Sequence, residues 1–505
     1  MKNTTRSPML GALLALVPAL AAAAPSMCPA DATVLPVQVR SSELLRAAVP
    51  PALFGFDLPW YDAQIGYLRK GAIRPELVEW LKPFKGAMYR YPAGSISFEW
   101  RRAIGPLAQR GRISEQYVPG GQAVAELGPE EFLRLMSQVE GQPLWMLNLH
   151  GAQGRVWEPQ EMLRDNLDYA QWIQTHTPRL CAKPGPCHAV SYELGNELDW
   201  SPVNWSAAQY SARALPLLKA LRQVQPQAKL VVLGQTAPWD ARSQTRERAG
   251  FDTELAAQLA ALSDGVTIHP YYDGHSVKVM NEFIDRLAQR YRAHNPAQQV
   301  YVTEHGRWPS QPLVGRWEDN WYQASGSGGG VSSADFVLSL LPKPTVAAAM
   351  WHALGVQGPW QMIKWDRRTD TLYPSPTYWA LRVLRDALLD DAVAVQPALV
   401  AGTRYGGGYD LRLVAMRGSG ATRSLMGVNR SDKAYWLKPA IDGRVPDAER
   451  LQLRRLVADA RGSDNSDEDK HRFTMQQHNG REALGAGGAV CVPPQSVFSL
   501  LLGQP

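Results

Sequence analysis

Short runs of apolar and β-branched residues recur along the chain, each followed by a stretch with helical spacing. They predict strands at 52–58 (ALFGFDL), 87–92 (AMYRYP), 144–150 (LWMLNLH) and 189–196 (AVSYELGN). Four more follow at 229–234 (KLVVLG), 265–270 (GVTIHP), 299–305 (QVYVTEH) and 345–352 (TVAAAMWH). Segments 75–84, 206–224 and 281–294 place apolar residues three and four apart, as a helix with one buried face requires. From the fourth predicted strand to the seventh, the starts are 40, 36 and 34 residues apart. A strand plus its crossover helix needs ~30 residues or more. Eight such units predict an α/β fold, a closed (β/α)8 TIM barrel of parallel strands. An open doubly wound sheet is the structural rival, but no predicted strand is followed by the Gly-x-Gly-x-x-Gly fingerprint. The run SGSGGG at 325–330 follows no strand and lacks a Lys, so it is read as a flexible loop rather than a phosphate cradle.

After about residue 384 the helical period disappears. Strand-like runs such as YDLRLVAMRG and SVFSLLLG alternate with polar turns, which predicts an accessory β-sandwich domain. An early run, TVLPVQVR (33–40), is expected to add to it. Segment 461–472 (RGSDNSDEDKHR) reads as a solvated loop. The expected organisation is a leader at 1–24, a sandwich-contributing segment at 25–50, a catalytic barrel at 51–383 and the sandwich at 384–505.

The N-terminus sharpens this picture. Lys2 and Arg6 precede an apolar run at 9–24 that ends in alanines. It is short for a membrane span and has the layout of a cleavable export signal. The chain is therefore expected to be periplasmic or secreted, without stable membrane insertion. A lipidated Cys28 is disfavoured because the residues before it, PSM, lack the small neighbour lipidation needs. The four cysteines suit export: Cys181 and Cys187 close a turn-rich loop, and Cys28 and Cys491 then tie the two chain ends. No Cys-x-x-Cys spacing suggests zinc. The formal charge is +6, and losing Lys2 and Arg6 leaves +4, with no basic block to mark a nucleic-acid surface. Oligomeric state is not readable. The 17 Trp are many for the 18 Tyr and 10 Phe, and several sit beside Gly, Pro or acids, as binding-site walls do.

Reactive groups of such barrels come from the C-terminal strand ends. Here those ends offer Arg90, Asn148 with His150, Asn196 with Glu197, His269 with Tyr271, Glu304 with His305, and Trp351 with His352. Glu197 and Glu304 end strands 4 and 7, nearly opposite in an eight-strand ring. Two carboxyl groups facing each other across a cavity are what glycosidic cleavage requires: one protonated, one ionised. The competing interpretation is that each Glu merely pairs with an Arg, for which Arg90 and Arg307 are candidates. Arg90 either orients Glu304 or neutralises the barrel interior. In SYELGNELDW (191–200), strand alternation puts Glu193 deeper, in a buried polar network, and Asp199 past the strand in a loop or cap. Trp351 is expected to be a sugar platform. Trp60, Trp200, Trp308, Trp317 and Trp321 lie on predicted loops, where one or two would form subsites. His305 and His352 are expected to point into the barrel wall.

YELGNELDW resembles the Asn-Glu motif of clan A retaining glycoside hydrolases, and YVTEHG their strand-7 nucleophile segment. HPYY matches the strand-6 His-x-Tyr pattern, and RYPAGSISFEWRRAIGP is similar to the strand-2 segment of family 51 α-L-arabinofuranosidases. LFGFDLPW and GVNRSDKAYWL extend the likeness over most of the chain. The resemblance implies Glu197 as acid/base, Glu304 as nucleophile, Asn196 on a sugar hydroxyl, Tyr271 on the nucleophile and His269 lining the site. Where the family has two adjacent glycines in strand 2, this chain has Ala93 and Gly94; where it has a Glu near strand 1, Asp57 is the nearest acid. HGRWP after the nucleophile also differs. The expected activity is retaining hydrolysis of a poly- or oligosaccharide, in the manner of an arabinofuranosidase, with no metal or cofactor. Alternatives are a glucuronidase/heparanase-like or xylosidase-like clan A hydrolase of the family 79 and family 39 types, glycosyl transfer through the same intermediate, or an inactive carbohydrate-binding protein. Retention requires the carboxyl groups to lie ~5–5.5 Å apart.

Overall fold

The structure is a computed structural model. It describes residues 27–502 except 62–64, 116–117, 182, 246–249, 309–323, 356–358 and 403–407. The expected leader, with Trp317 and Trp321, lies outside the described residues.

Eight parallel strands close into a barrel in chain order: Gly55–Asp57, Met88–Tyr91, Gln142–Leu147, Ser191–Leu194, Lys229–Val232, Gly265–Ile268, Gln299–Trp308 and Val346–Trp351. They are strands 1 to 8 below. Strand 8 pairs with strand 1 through Met350 and Trp351, which shuts the ring. Met88, Leu144, Val231, Tyr301, Ala348 and Met350 fill its floor as one apolar cluster. Above that floor the inward positions turn polar.

Eight helices surround the ring: α1 (Pro75–Leu81), α2 (Pro129–Val139), α3 (Pro159–Leu180), α4 (Ala207–Val224), α5 (Phe251–Leu259), α6 (Val277–Arg292), α7 (Ser327–Leu340) and α8 (Pro376–Arg385). Local chemistry sets their starts. Ser206 Oγ accepts the Gln209 N–H and the Ser206 N–H donates to Gln209 Oε1 in return, a capping box for α4. Ser276 and Ser375 cap α6 and α8 more simply, their hydroxyls accepting the Val279 and Tyr378 N–H groups. In α6 the buried residues Val277, Met280, Ile284, Leu287, Ala288 and Tyr291 keep three- and four-residue spacing.

The expected flexible loop at 325–330 is corrected by α7. Ser327 to Gly330 form its first turn, and every residue of the helix is buried. A Cβ on Gly330 would sit 3.0 Å from Ala380 Cβ and 3.2 Å from Thr377 Cα. The small residues therefore let α7 approach α8 closely.

The remaining strands form a sheet built from Thr33–Arg46 and from residues 391–502. Thr33–Arg46 lies between Asp391–Gln396, antiparallel, and Tyr435–Ile441, parallel, so the early run does join this domain. The sheet folds over on itself as a sandwich, because inward residues from its middle and both its ends share one core, including Val39, Leu413, Leu453, Val490 and Phe498. Cys28 is disulfide-bonded to Cys491, and Cys181 to Cys187. Residues 461–472 form a loop that is largely exposed, as expected, but anchored at a few points. Asn465 is buried, Asp467 accepts from Tyr373, and Lys470 pairs with Asp366 at 2.6 Å. Among the described residues, no helix is long and apolar enough to cross a membrane.

The domains meet through buried charge. Arg430 of the sheet domain pairs with Asp273 at 2.6 Å and with Asp335 of α7 at 3.3 Å. Arg307, at the end of strand 7, donates to the same Asp273. Arg307 therefore holds the domain junction, not a catalytic Glu.

Candidate active site

Strand 7 carries a bulge. Val302 pairs with Ala349 and His305 with Trp351, so Thr303 and Glu304 together face the single residue Met350. An extra residue in a strand re-aims the side chains beside it. Here both Thr303 and Glu304 reach inward groups. Thr303 meets His269 Nε2 at 2.9 Å, and Glu304 meets Arg90.

Arg90, fully buried on strand 2, organises the floor of the site. It contacts Glu193 through Nε (2.5 Å) and Nη2 (3.1 Å), Glu304 Oε1 through Nη1 (2.7 Å) and Asn196 Oδ1 through Nη2 (2.6 Å). Both expected roles for Arg90 are thus combined in one guanidinium. Glu193 sits in the buried polar network foreseen for it. Burial opposes the charge on Arg90, but Glu193, Asp57 and Glu304 outweigh it and hold its pKa well above the usual value.

Glu304 is buried, and its Oε2 accepts from the Tyr271 hydroxyl at 2.7 Å. Burial alone would raise its pKa. His269, His352 and Arg90, with the Tyr271 hydrogen bond, overcome that and push it well below the carboxylate range. Tyr271 itself is held far above its usual pKa, first by burial and then by Glu304, so it stays a donor.

Glu197 stands higher and more open, with its side chain 26% exposed against 5% for Glu304. The turn that delivers it has Gly195 at φ 85° and Glu197 itself at φ 46°, a left-handed backbone that a non-glycine residue adopts at a cost. Its Oε1 is 2.7 Å from His269 Nδ1. Burial lowers the His269 pKa, but Glu304 and Glu197 raise it to about 9. One oxygen of Glu197 and one of Glu304 lie within 4.8 Å of each other.

Asp57 ends strand 1 beneath these groups. Its Oδ2 is 3.0 Å from His352 Nδ1 and 3.7 Å from Arg90. Burial, only partly offset by Arg90 and His352, pushes its pKa up to about 7. Glu197, His269 and Glu304, and likewise Asp57, His352 and Glu304, bring ligand-type atoms within 4.8 Å. Each of these groups is engaged by a protein neighbour, so the arrangement suits proton traffic better than an ion cage.

Three expectations are corrected. Trp351 is fully buried and donates its indole N–H to Ser333 of α7, so it faces the barrel wall and is no sugar platform. His352 takes the inward place, contrary to the expectation that it points into the wall. The alternation Ala348, Met350, His352 fixes that phase, and the floor residues on the same strand were the available signal. Asn148 is spent on its own loop: it donates to Phe98 and Gly151 carbonyls and accepts from the His150 and Gly151 N–H groups. His305 does lie in the wall, bonded to Tyr272, with burial lowering its pKa to about 3. Asp199 is in a loop and accepts from Thr236, not from a helix start. Trp60 is core, Trp200 is half-buried, and Trp308 is 38% exposed at the mouth, edge-on to Tyr271 at 5.4 Å.

No family model matches the chain. Over 313 residues it is 26% identical to a probable α-L-arabinofuranosidase C of Aspergillus fumigatus, covering 58% of each chain. Over 246 residues it is 26% identical to α-L-arabinofuranosidase C of Emericella nidulans, covering 46% of each. The chain spans about half the length of the curated relatives it matches. Among solved structures, a family 51 α-L-arabinofuranosidase from Bifidobacterium longum superposes with a TM-score of 0.73 at 17% identity, over 92% of this chain and 99% of that one. The chain thus has the fold of the family 51 α-L-arabinofuranosidases and is similar to α-L-arabinofuranosidases in sequence.

Proposed function

We propose that the chain is a retaining glycoside hydrolase acting on terminal or branching α-L-arabinofuranosyl groups of a poly- or oligosaccharide. The observation that carries the reading is the carboxyl pair: two glutamates within 4.8 Å, one buried among cations and one at the open mouth. An approach of that kind between one oxygen of each is compatible with a retaining pair, whose carboxyl groups lie ~5–5.5 Å apart.

In this reading Glu304, ionised and oriented by Arg90 and Tyr271, attacks the anomeric carbon and forms a glycosyl ester. Glu197 gives its proton to the leaving oxygen, then accepts one from the water that hydrolyses the ester. His269 Nδ1, 2.7 Å from Glu197 Oε1, is the hydrogen-bond partner placed to exchange a proton with the acid/base. Because Arg90 occupies the Asn196 amide oxygen, the amide NH2 is the end left for a sugar hydroxyl. Asp57, fully buried and bonded to His352, has no surface to offer a sugar hydroxyl and serves the site through that histidine. Trp308 and Trp360, tilted at 5.1 Å centroid distance, offer an aromatic wall for the leaving group.

The arabinofuranose preference rests on likeness to the named relatives. Export is supported by the two disulfides. The test is a panel of aryl α-L-arabinofuranosides, xylosides, glucosides and glucuronides. Turnover of the arabinofuranoside above the rest is expected. Preference for a glucuronide or xyloside would replace the sugar assignment, and no turnover of any would favour a binding protein.

A further inference from the structure

The nucleophile has a neighbour that this mechanism does not use. His352 ends strand 8, and its Nδ1 lies 3.0 Å from Asp57 Oδ2 and 3.6 Å from Glu304 Oε2. The ring is packed by Tyr271, at 6.2 Å between centroids, and by Trp360, at 5.5 Å. Its position is therefore fixed by Asp57, by the nucleophile and by two aromatic rings.

We propose that His352 is a positioning residue for Glu304: clamped by Asp57, it sets a second positive charge against Oε2, on the side Arg90 does not reach. Arg90 engages Oε1 only, at 2.7 Å. Oε2 has Tyr271 as a neutral donor, with His352 and His269 as the basic groups near it, at 3.6 and 3.8 Å. A carboxylate held at both oxygens is fixed in rotation as well as in charge. The charged or titratable groups facing His352 are Asp57 from strand 1, Arg90 from strand 2, Glu304 and the neutral His305 from strand 7, with Tyr271 beyond strand 6. Glu304 and Asp57 favour the imidazolium; burial and Arg90 oppose it, and the net shift is upward. Asp57 and His352 then act as one unit, since neither keeps its charge in the barrel interior without the other.

This inference rests on the proposed role of Glu304, so the test has an arm independent of turnover. In the folded protein labelled with 15N-histidine, NMR titration should place the His352 midpoint above the ordinary ~6.5, with the ring cationic below it, and Asp57→Asn should lower that midpoint by about one unit or more. A His352 ring that is neutral near pH 6, or that Asp57→Asn leaves unmoved, overturns the clamp whatever the enzyme hydrolyses. In the kinetic arm, the acid limb of kcat/KM should move up by about one pH unit in His352→Gln, which keeps a donor but not the charge. The double variant should shift no further than the single ones, as expected for residues that act as a unit. An unmoved acid limb, or additive shifts, would overturn the positioning role. Should His352→Gln fail to fold, Asp57→Asn carries both arms.

Discussion

Arg90 meets Glu304 at 2.7 Å inside the barrel, with both side chains buried. The same guanidinium satisfies Glu193. Removing it would leave Glu193 without its cation and Glu304 with the two histidines alone. Arg90→Met should therefore cost about 3–5 kcal/mol of stability. Arg90→Lys should recover only part of this, because an ammonium cannot reproduce the planar fork that reaches Glu193, Asn196 and Glu304 together. Urea unfolding midpoints of the two variants check both statements.

The acid/base assignment predicts a dependence on leaving group. Glu197→Ala should slow substrates with poor leaving groups by roughly 10²–10⁴-fold, and aryl glycosides with acidic phenols much less, because those need little proton donation. Equal losses across a phenol series would count against Glu197. In Glu304→Ala, external azide should yield a glycosyl azide of inverted configuration, since it enters the cavity of the missing nucleophile. Full activity of that variant would remove Glu304 from the mechanism.

His269 sets the alkaline side. Its proton, held up to about pH 9 by Glu304 and Glu197 against burial, belongs to the pair that supplies Glu197. Activity should fall as pH rises through that value. His269→Asn should move the basic limb of kcat/KM to lower pH. The sign for stability is the same: a histidine whose pKa is raised on folding stabilises fully below about pH 6.5, and that contribution is lost as pH rises through about 9. Thermal midpoints measured across pH 6–10 should therefore decline in the wild type and flatten in His269→Asn.

The Cys28–Cys491 bond spans most of the chain and anchors its beginning to the sheet domain. Cys28→Ser with Cys491→Ser should lower stability by about 2–4 kcal/mol, and reductant, which also opens Cys181–Cys187, should lower the wild type by at least as much. Guanidinium unfolding with and without reductant measures this. A sheet domain indifferent to both treatments would show the bond to be dispensable.

Much of this was legible in the chain. The eight strands and the helices α1, α4 and α6 fall where hydrophobic spacing puts them, because a barrel with helices outside makes every strand buried on both faces. Glu197 and Glu304 were legible as acids placed just after apolar runs. Phase was harder. Strand 8 reads AAAMWH, with three small residues that give alternation little contrast, so Trp351 and His352 exchange faces relative to expectation. The bulge at Thr303 and Glu304 has no local signature; it appears only when strand 7 is paired with strand 8. Asn148 has the right place but no spare hydrogen bonds, which only the folded loop reveals. For α7, a Gly-Ser run signals flexibility in isolation and close helix packing in context.

The most direct test of the account is where a covalent intermediate forms. The wild type would be treated with a mechanism-based arabinofuranosyl inactivator and digested, and the labelled peptide sequenced by mass spectrometry. The account predicts a single glycosyl ester on Glu304, with Glu197 unmodified. Stoichiometric labelling of another carboxylate, or turnover of the matching substrate with inversion and no trapped ester, would contradict it.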